Sequence, residues 1–335
     1  MTGLIEGHYV ETQEGLLFAV KGLNHPDGLV IAYLRYVPDP GGDRVRDKRR
    51  YRRVYGIDET DELLGEEYPH YLNPIESKHL KLQSVPIERI VRVYSPKERM
   101  RTILERPESK LEATTAKFVH ALSSESGVSN DDFGVSGSVL IGLAREDSDV
   151  DLIVYGDEAG RKVYDALKRL GGRCEWVRPY DSETVWKVVG DRWRDTGLDL
   201  EKLGPIETRK VLHGLVDGRD FFVRLVRKPT EFEQESQSKP LGRVVIRAEV
   251  VDAEESIFTP CSYTVKGCEY VNPDQGPEVI RLVSYRGKFT EQAGNGDIVE
   301  ARGNLEETAY PDRKIYRVML GGGGDYLIPL DVLDR

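Results

Sequence analysis

The strongest constraint on this 335-residue chain is the run Ser148-Asp149-Val150-Asp151-Leu152-Ile153-Val154-Tyr155, where two acids open a stretch that is otherwise apolar. Val150 to Tyr155 has the length and β-branched content of a buried strand. Successive strand side chains alternate faces at about 3.3 Å per residue, so Asp149 and Asp151 project from one face about 7 Å apart. Two aligned carboxylates repel unless a cation lies between them. Mg²⁺ takes hard oxygen ligands and is commonly shared by one or two carboxylates with substrate phosphates. Upstream, Phe133 to Val135 reads as a short strand, Ser136-Gly137-Ser138 as a turn, and Val139 to Ala144 as a short helix. Gly137 lets the backbone come close to a phosphate, the Ser138 hydroxyl can donate to it, and a helix starting near Val139 adds free N–H groups and a favourable dipole. In this order the parts can hold a triphosphate while metal ions activate an attacking oxygen and neutralise the leaving pyrophosphate.

The flanks give the organisation. Residues 1–100 read as a β-rich domain, with short apolar runs (Leu16 to Val20, Leu29 to Val37, Ile87 to Tyr94) separated by Gly, Pro and Asp clusters. Ser95-Pro96-Lys97-Glu98 has the form of an N-cap, a proline at the first helical position and a glutamate three residues after the cap. Helices are expected from there to about Arg106 and again over Leu111 to Leu122. The middle of the chain then alternates strand and helix. Val163, Ala166, Leu167 and Leu170 share one helix face, Thr184 to Trp193 and Pro205 to Leu215 read as helical, and Asp220 to Val226 reads as a strand. Residues 230–240 are polar and aperiodic, as in a linker. Beyond them, Val244 to Val251, Tyr263 to Tyr270, Val279 to Tyr285, Ile298 to Leu305 and Ile315 to Leu320 are five strands at the spacing of a small barrel.

The segment from Phe133 to Gly156 resembles the polymerase-β-like nucleotidyltransferase superfamily, whose pattern is a Gly-Ser turn, a short helix and an Asp-x-Asp strand usually preceded by serine. The resemblance covers residues 105–230. It implies an α+β fold with a nucleotidyltransferase core, here between an N-terminal β-rich domain and a C-terminal OB-like β-barrel of five strands over 240–335. This arrangement also resembles a group of archaeal predicted nucleotidyltransferases. The family relation implies transfer of a nucleoside monophosphate from an NTP such as ATP, with Mg²⁺ or Mn²⁺ held by Asp149, Asp151 and a third acid on a neighbouring strand. Gly137, Ser138 and Ser148 become nucleotide-binding positions. Asp220 shares a strand face with Phe222 and Arg224 and takes the third place, as an antiparallel neighbour of the Asp-x-Asp strand. Asp217 is the alternative, although Asp217-Gly218 has the form of a turn. Arg224 fits either a phosphate contact or a cross-strand ion pair.

The acceptor is the open part. Acids exceed bases, 58 against 48, for a net charge of −10, which argues against a whole-surface attraction to nucleic acid or anionic lipid. Arg44–Arg53, however, holds seven basic residues and one acid beside Tyr51 and Tyr55. That is either a track for an RNA or DNA backbone or a solvated loop balancing the acids from Asp58 to Glu67. An RNA end leads as acceptor, with a protein side chain or small molecule as the enzymatic alternative. A non-catalytic nucleotide-sensing or RNA-binding protein is the third reading. The three cysteines and six histidines show no zinc spacing. Gly321 to Gly324 read as a hairpin loop, and no GK[ST] follows to make a P-loop. With no apolar run near the ~18 residues of a membrane span and no export signal, the chain is expected to be soluble and cytoplasmic.

Overall fold

In the computed structural model, which describes residues 3–333 except 232, 234 and 274, the chain divides into two units. One gathers residues 1–75, 81–178 and 215–231, and the other residues 76–80, 179–214 and 232–335. The fold is mixed α and β, with β-rich regions at both ends of the chain. No described helix is long and apolar enough to cross a membrane.

The first unit opens with β1 (Tyr9–Thr12), β2 (Leu17–Val20), β3 (Leu29–Pro38), β4 (Arg44–Arg46), β5 (Arg49–Arg53), helix α1 (Ile57–Glu67), β6 (Leu72–Ile75), β7 (Leu80–Pro86) and β8 (Ile90–Tyr94). They form a sheet in the order β4-β5-β3-β2-β1-β8, with β7 on β3 and β6 on β7. Alternation gives the sheet two apolar faces. Val10, Phe18, Val20, Ala32 and Leu34 pack with Leu64 of α1. Tyr9, Leu17, Ala19, Tyr36 and Tyr51 pack instead with Leu140, Ile141 and Leu143. In β3 the faces switch at a bulge. Leu17 pairs with Tyr36 but Phe18 with Leu34, which leaves Arg35 as the extra residue.

The basic run is a hairpin and not a loop. β4 and β5 meet at Asp47 and Lys48, both at positive φ (51° and 65°), the backbone of a two-residue turn matched to strand twist. Most of its arginines are bonded within the chain. Arg44 Nη1 donates to the Leu143 carbonyl (3.1 Å) and the Ser148 hydroxyl (3.2 Å). Arg46 Nη1 donates to the Ile141 carbonyl (3.0 Å) and its Nη2 to Glu11 (2.7 Å). Arg49 reaches the Glu14 carbonyl, Arg50 that of Gly42, and Arg52 the Asp39 and Glu59 carboxylates.

The rest of the unit is α2 (Pro96–Glu105), α3 (Lys110–Ser126), β9 (Phe133–Val135), α4 (Gly137–Leu140), β10 (Val150–Tyr155), α5 (Asp157–Gly171), β11 (Val177–Arg178), β12 (His213–Val216) and β13 (Arg219–Val226). Its sheet runs β11-β12-β13-β10-β9. Ser95 caps α2 by accepting the Glu98 N–H, as its sequence pattern predicts. Three expectations need correction. β13 runs parallel to β10, not antiparallel, because the chain crosses over through the fifteen-residue α5 before returning, and a crossover helix is the usual link between parallel neighbours. The helix expected over Val139 to Ala144 is the single turn of α4, ended by the left-handed Gly142 (φ 70°). The helix expected to reach Leu215 ends at Glu207, since His213–Val216 is claimed by the β12–β13 hairpin with its Asp217-Gly218 turn.

In the second unit, α6 (Val185–Trp193) and α7 (Gly204–Glu207) precede β14 (Gln237–Asp252), β15 (Cys261–Asn272), β16 (Val279–Ser284), β17 (Ile298–Ala309), β18 (Lys314–Leu320), β19 (Tyr326–Pro329) and α8 (Leu330–Leu333). The five expected strands are present, and β19 adds to β17. β14 pairs with both β15 and β17, and β16 lies parallel to β18, so the pairing circuit β14-β15-β16-β18-β17 returns to β14. Of the stretch expected to be linker, residues 237–240 are strand, and residues 232 and 234 lie outside the described ones. β14 begins at Gln237, and the Glu235 carboxylate is buried against Arg317 and Lys78, which satisfies a guanidinium only 1% exposed. The glycine loop folds around buried Asp325, which accepts the Gly321 and Gly322 N–H groups (2.9 and 2.8 Å).

Gly7 couples the N-terminal segment to β10. Its φ is +101°, and a Cβ there would lie 2.0 Å from Ile153 Cδ1. Gly7→Ala is therefore expected to cost about 2–4 kcal/mol from backbone strain and overpacking together, read by urea denaturation. A loss under about 0.5 kcal/mol would show that this contact does not constrain the unit.

Candidate active site

A cavity of about 120 Å³ in the first unit is lined by Ser136, Gly137, Asp149, Asp151, Phe222 and Arg224 together with Gly7, Tyr9, Lys21, Arg35, Tyr36 and Arg53 of the N-terminal region. At about 30 Å³ per water it holds about four waters, the scale of a phosphate group or two and not of a whole nucleotide. The N-terminal region thus furnishes many of the lining residues.

Strand alternation brings Asp149 and Asp151 to the same cavity, as expected from β10. Gly137 stands directly against them. It adopts φ +59°, and a Cβ on it would meet Asp151 Oδ2 at 2.0 Å, so any other residue would displace the carboxylate or the turn. The turn is fixed from both sides. The Ser136 N–H donates to the Asp151 carbonyl (2.9 Å), and the Ser136 hydroxyl donates to the Gly7 carbonyl (2.9 Å).

The electrostatics are those of a crowded acid pair among cations. Burial and the neighbouring Asp149 charge push the Asp151 carboxyl up to about 7, against the opposing pull of Arg224, Arg53 and Arg35. Behind them, buried Glu6 binds Lys21 Nζ (2.7 Å) and Arg224. Burial would raise the Glu6 carboxyl, but Lys21 and Arg224 hold it below the usual carboxylate range. Lys21 is pulled down to about 8 by its own burial, which outweighs the attraction of Glu6. Arg224 therefore makes an ion pair, but with Glu6 of the N-terminal segment rather than across the strands. Arg35 and Arg53 have no acid within ion-pair distance among the described residues, and Arg53 stacks over the Tyr55 ring at 4.5 Å.

Asp220 lies on β13, one residue before the Val150–Phe221 register pair, so its backbone stands level with Asp149. Its side chain is half-buried on the same face as Phe222 and Arg224, though it is not among the cavity-lining residues. Asp217 sits at the hairpin turn (φ 47°) with its carboxylate on Lys117 Nζ (2.8 Å). Ser138 is buried in α4 outside the lining, and its carbonyl accepts the Leu143 N–H. Ser148 is buried too, its hydroxyl accepting from Arg145 N (2.8 Å) and Arg44, which closes the loop before β10. Ser136, Lys21, Arg35 and Glu6 were not singled out by sequence reasoning. Only the bulge in β3 and the spacing of Arg35 from Arg53 across two strands reveal the pair, and neither is visible as a motif.

The residues present fit a divalent ion. Two carboxylate side chains share a cavity with a backbone turn free of Cβ, and their mutual repulsion is the feature a cation would relieve. Among the described residues no group of three or more His, Cys, Asp or Glu side chains is arranged to hold a metal alone, so a substrate's oxygens would complete the shell.

Comparison with known proteins agrees with this geometry. Residues 116–189 match the family model described as a nucleotidyltransferase domain, a stretch that contains Gly137, Asp149 and Asp151. The chain is 30% identical over 328 residues, 94% of each chain, to an uncharacterized protein of Methanocaldococcus jannaschii. No solved structure matches it.

The acid pair predicts a stability signature. Because the Asp151 carboxyl titrates higher folded than unfolded, its protonated form contributes stability at low pH that is lost as pH rises through about 7. Asp151→Asn is expected to make the metal-free protein about 1–3 kcal/mol more stable at pH 8, with the gain fading toward pH 4. Urea melts in EDTA at both pH values measure it. A variant no more stable than its parent at pH 8 would contradict the repulsion.

Proposed function

Since the chain belongs to the polymerase-β-like nucleotidyltransferases, we propose that it moves a nucleoside monophosphate from an NTP to an acceptor in a metal-dependent reaction. The observation that supports this reading is the Asp149–Asp151 pair facing a phosphate-sized cavity beside the Cβ-free turn at Gly137. The acceptor oxygen bonds to the α-phosphorus, the bond from that phosphorus to the β-bridging oxygen breaks, and pyrophosphate leaves with that oxygen. Mg²⁺ or Mn²⁺ bound by Asp149 and Asp151, with Asp220 as our assigned third carboxylate, would supply charge neutralisation and acidify the acceptor hydroxyl. Gly137 admits the phosphates to the backbone, and the Ser136 bond to Gly7 keeps the turn in place. Ser138 and Ser148 are assigned to shaping the turn and the loop before β10, since both are buried and bonded there.

The acceptor proposed is a nucleic-acid end, RNA before DNA. We read the C-terminal pairing circuit, with its parallel β16–β18 step, as a closed OB-type barrel, a fold that serves oligonucleotide binding. The Arg44–Arg53 hairpin contributes less than its composition promises, because Arg44, Arg46, Arg49, Arg50 and Arg52 are occupied by intramolecular bonds.

Each α-labelled NTP, incubated with Mg²⁺ and either total RNA or total protein, tests the reading. Label is expected in the RNA fraction and to vanish with EDTA. Label in protein would move the acceptor, and metal-dependent binding without transfer would favour a sensor. Asp149→Ala should lose nucleotide binding, whereas Asp220→Ala should keep it and lose roughly a hundredfold or more in single-turnover transfer. If Asp217→Ala is the inactive variant and Asp220→Ala turns over normally, the third carboxylate is misassigned.

A further inference from the structure

We propose that Arg35 and Arg53 of the N-terminal sheet form the seat of the β- and γ-phosphates, and so of the departing pyrophosphate. This rests on the nucleotidyl-transfer reading and names which residues outside the family-matched stretch complete the substrate site. Three independent observations meet here. First, Arg35 is the extra residue of the β3 bulge, where Leu17 pairs with Tyr36 and Phe18 with Leu34. Bulges re-aim side chains beside active sites. This one turns Tyr36 from the α1-facing core to the other face and leaves Arg35 lining the cavity with it. Second, Arg53 is the register partner of Tyr36 on β5, so the two arginines come from adjacent strands to the cavity that Asp149 and Asp151 also line. Third, in a chain where most arginines near this sheet are engaged by acids or carbonyls, these two have no ion-pair partner among the described residues. Their nearest anions, Asp149 and Asp151, act on them beyond ion-pair distance. A divalent ion on those acids would leave the two half-buried guanidiniums uncompensated, so the anion that pairs with them arrives with the ligand.

The charge balance selects the ligand class. Lys21 and Arg224 already outnumber Glu6, and Arg35 with Arg53 matches the two aspartates when both are ionised. Any divalent ion at the aspartates leaves the cavity strongly positive, and a polyphosphate neutralises this far better than one diester. The planar guanidinium forks suit phosphate oxygens bidentately. During transfer the electron pair of the breaking P–O bond stays on the bridging oxygen, and both arginines accept that growing charge without giving up a proton.

The test uses the full chain as parent, Arg35→Gln, Arg53→Gln, and the Lys variant at each position. Titration calorimetry reads inorganic pyrophosphate and ATP with Mg²⁺, and electron paramagnetic resonance reads Mn²⁺ alone. Each Gln variant is expected to lose at least about tenfold in affinity for both polyphosphates, the Lys variants less, with Mn²⁺ binding kept or tightened because a competing positive charge is gone. A Gln variant that fails to fold leaves its Lys counterpart to carry the comparison. Unchanged pyrophosphate and ATP affinity overturns the seat while leaving nucleotidyl transfer standing. Loss of Mn²⁺ binding together with pyrophosphate makes the arginines supports of the fold and also overturns it. A parent that binds pyrophosphate but no NTP keeps the seat and removes the nucleotidyl reading.

Discussion

Everything around β10 answers to one unfavourable interaction, the confrontation of the half-buried Asp149 and Asp151 carboxylates in one cavity. Two carboxylates held side by side and partly shielded from water repel, and a cation or a proton between them relieves the cost. The fold meets that cost in layers. Gly137 gives up its side chain so that Asp151 keeps its position. Arg224, Arg53 and Arg35 pull Asp151 toward its ionised form against that cost. Glu6 in turn restrains Lys21 and Arg224, so the positive side of the cavity does not collapse onto the acids.

The second constraint is that these cations come from a different stretch of chain from the acids. The strand, turn and Asp-x-Asp elements lie in residues 133–155, whereas Lys21, Arg35 and Arg53 lie in the N-terminal sheet, yet both fall in one unit. The clamp between them is built from Arg44 and Arg46, which donate to carbonyls of the loop after α4, and from the apolar contacts of Leu140, Ile141 and Leu143. A basic run that reads as a nucleic-acid track therefore spends most of its charge holding the sheet against the loop after α4, and only Arg53 of that run lines the cavity.

Local chemistry was legible in the sequence where it is decided by neighbours along the chain. Ser95 as a cap, β9 and β10 to the residue, the Asp217-Gly218 turn and the five C-terminal strands all follow from periodicity and turn residues. What was not legible is decided across the fold. The direction of β13 depends on the number of chain reversals after α5, which composition does not record, although a crossover helix was there to be read. The brevity of α4 depends on Gly142 taking a left-handed turn. Arg35 was indistinguishable from any strand arginine because its role depends on a bulge, a mismatch between two strands that neither sequence contains alone. The polar stretch before β14 reads as linker because Glu235 looks solvated until its partner Arg317, some eighty residues away, is seen to be buried.

The most direct measurement is a diffraction experiment on crystals grown with Mn²⁺ and an NTP analogue that cannot be cleaved between its α- and β-phosphates, recorded where manganese scatters anomalously. The account predicts anomalous density within coordination distance of Asp149 and Asp151, with the triphosphate running from those ions toward the N-terminal sheet. Manganese bound away from Asp149 and Asp151, or an analogue whose phosphates lie outside this cavity, would contradict it.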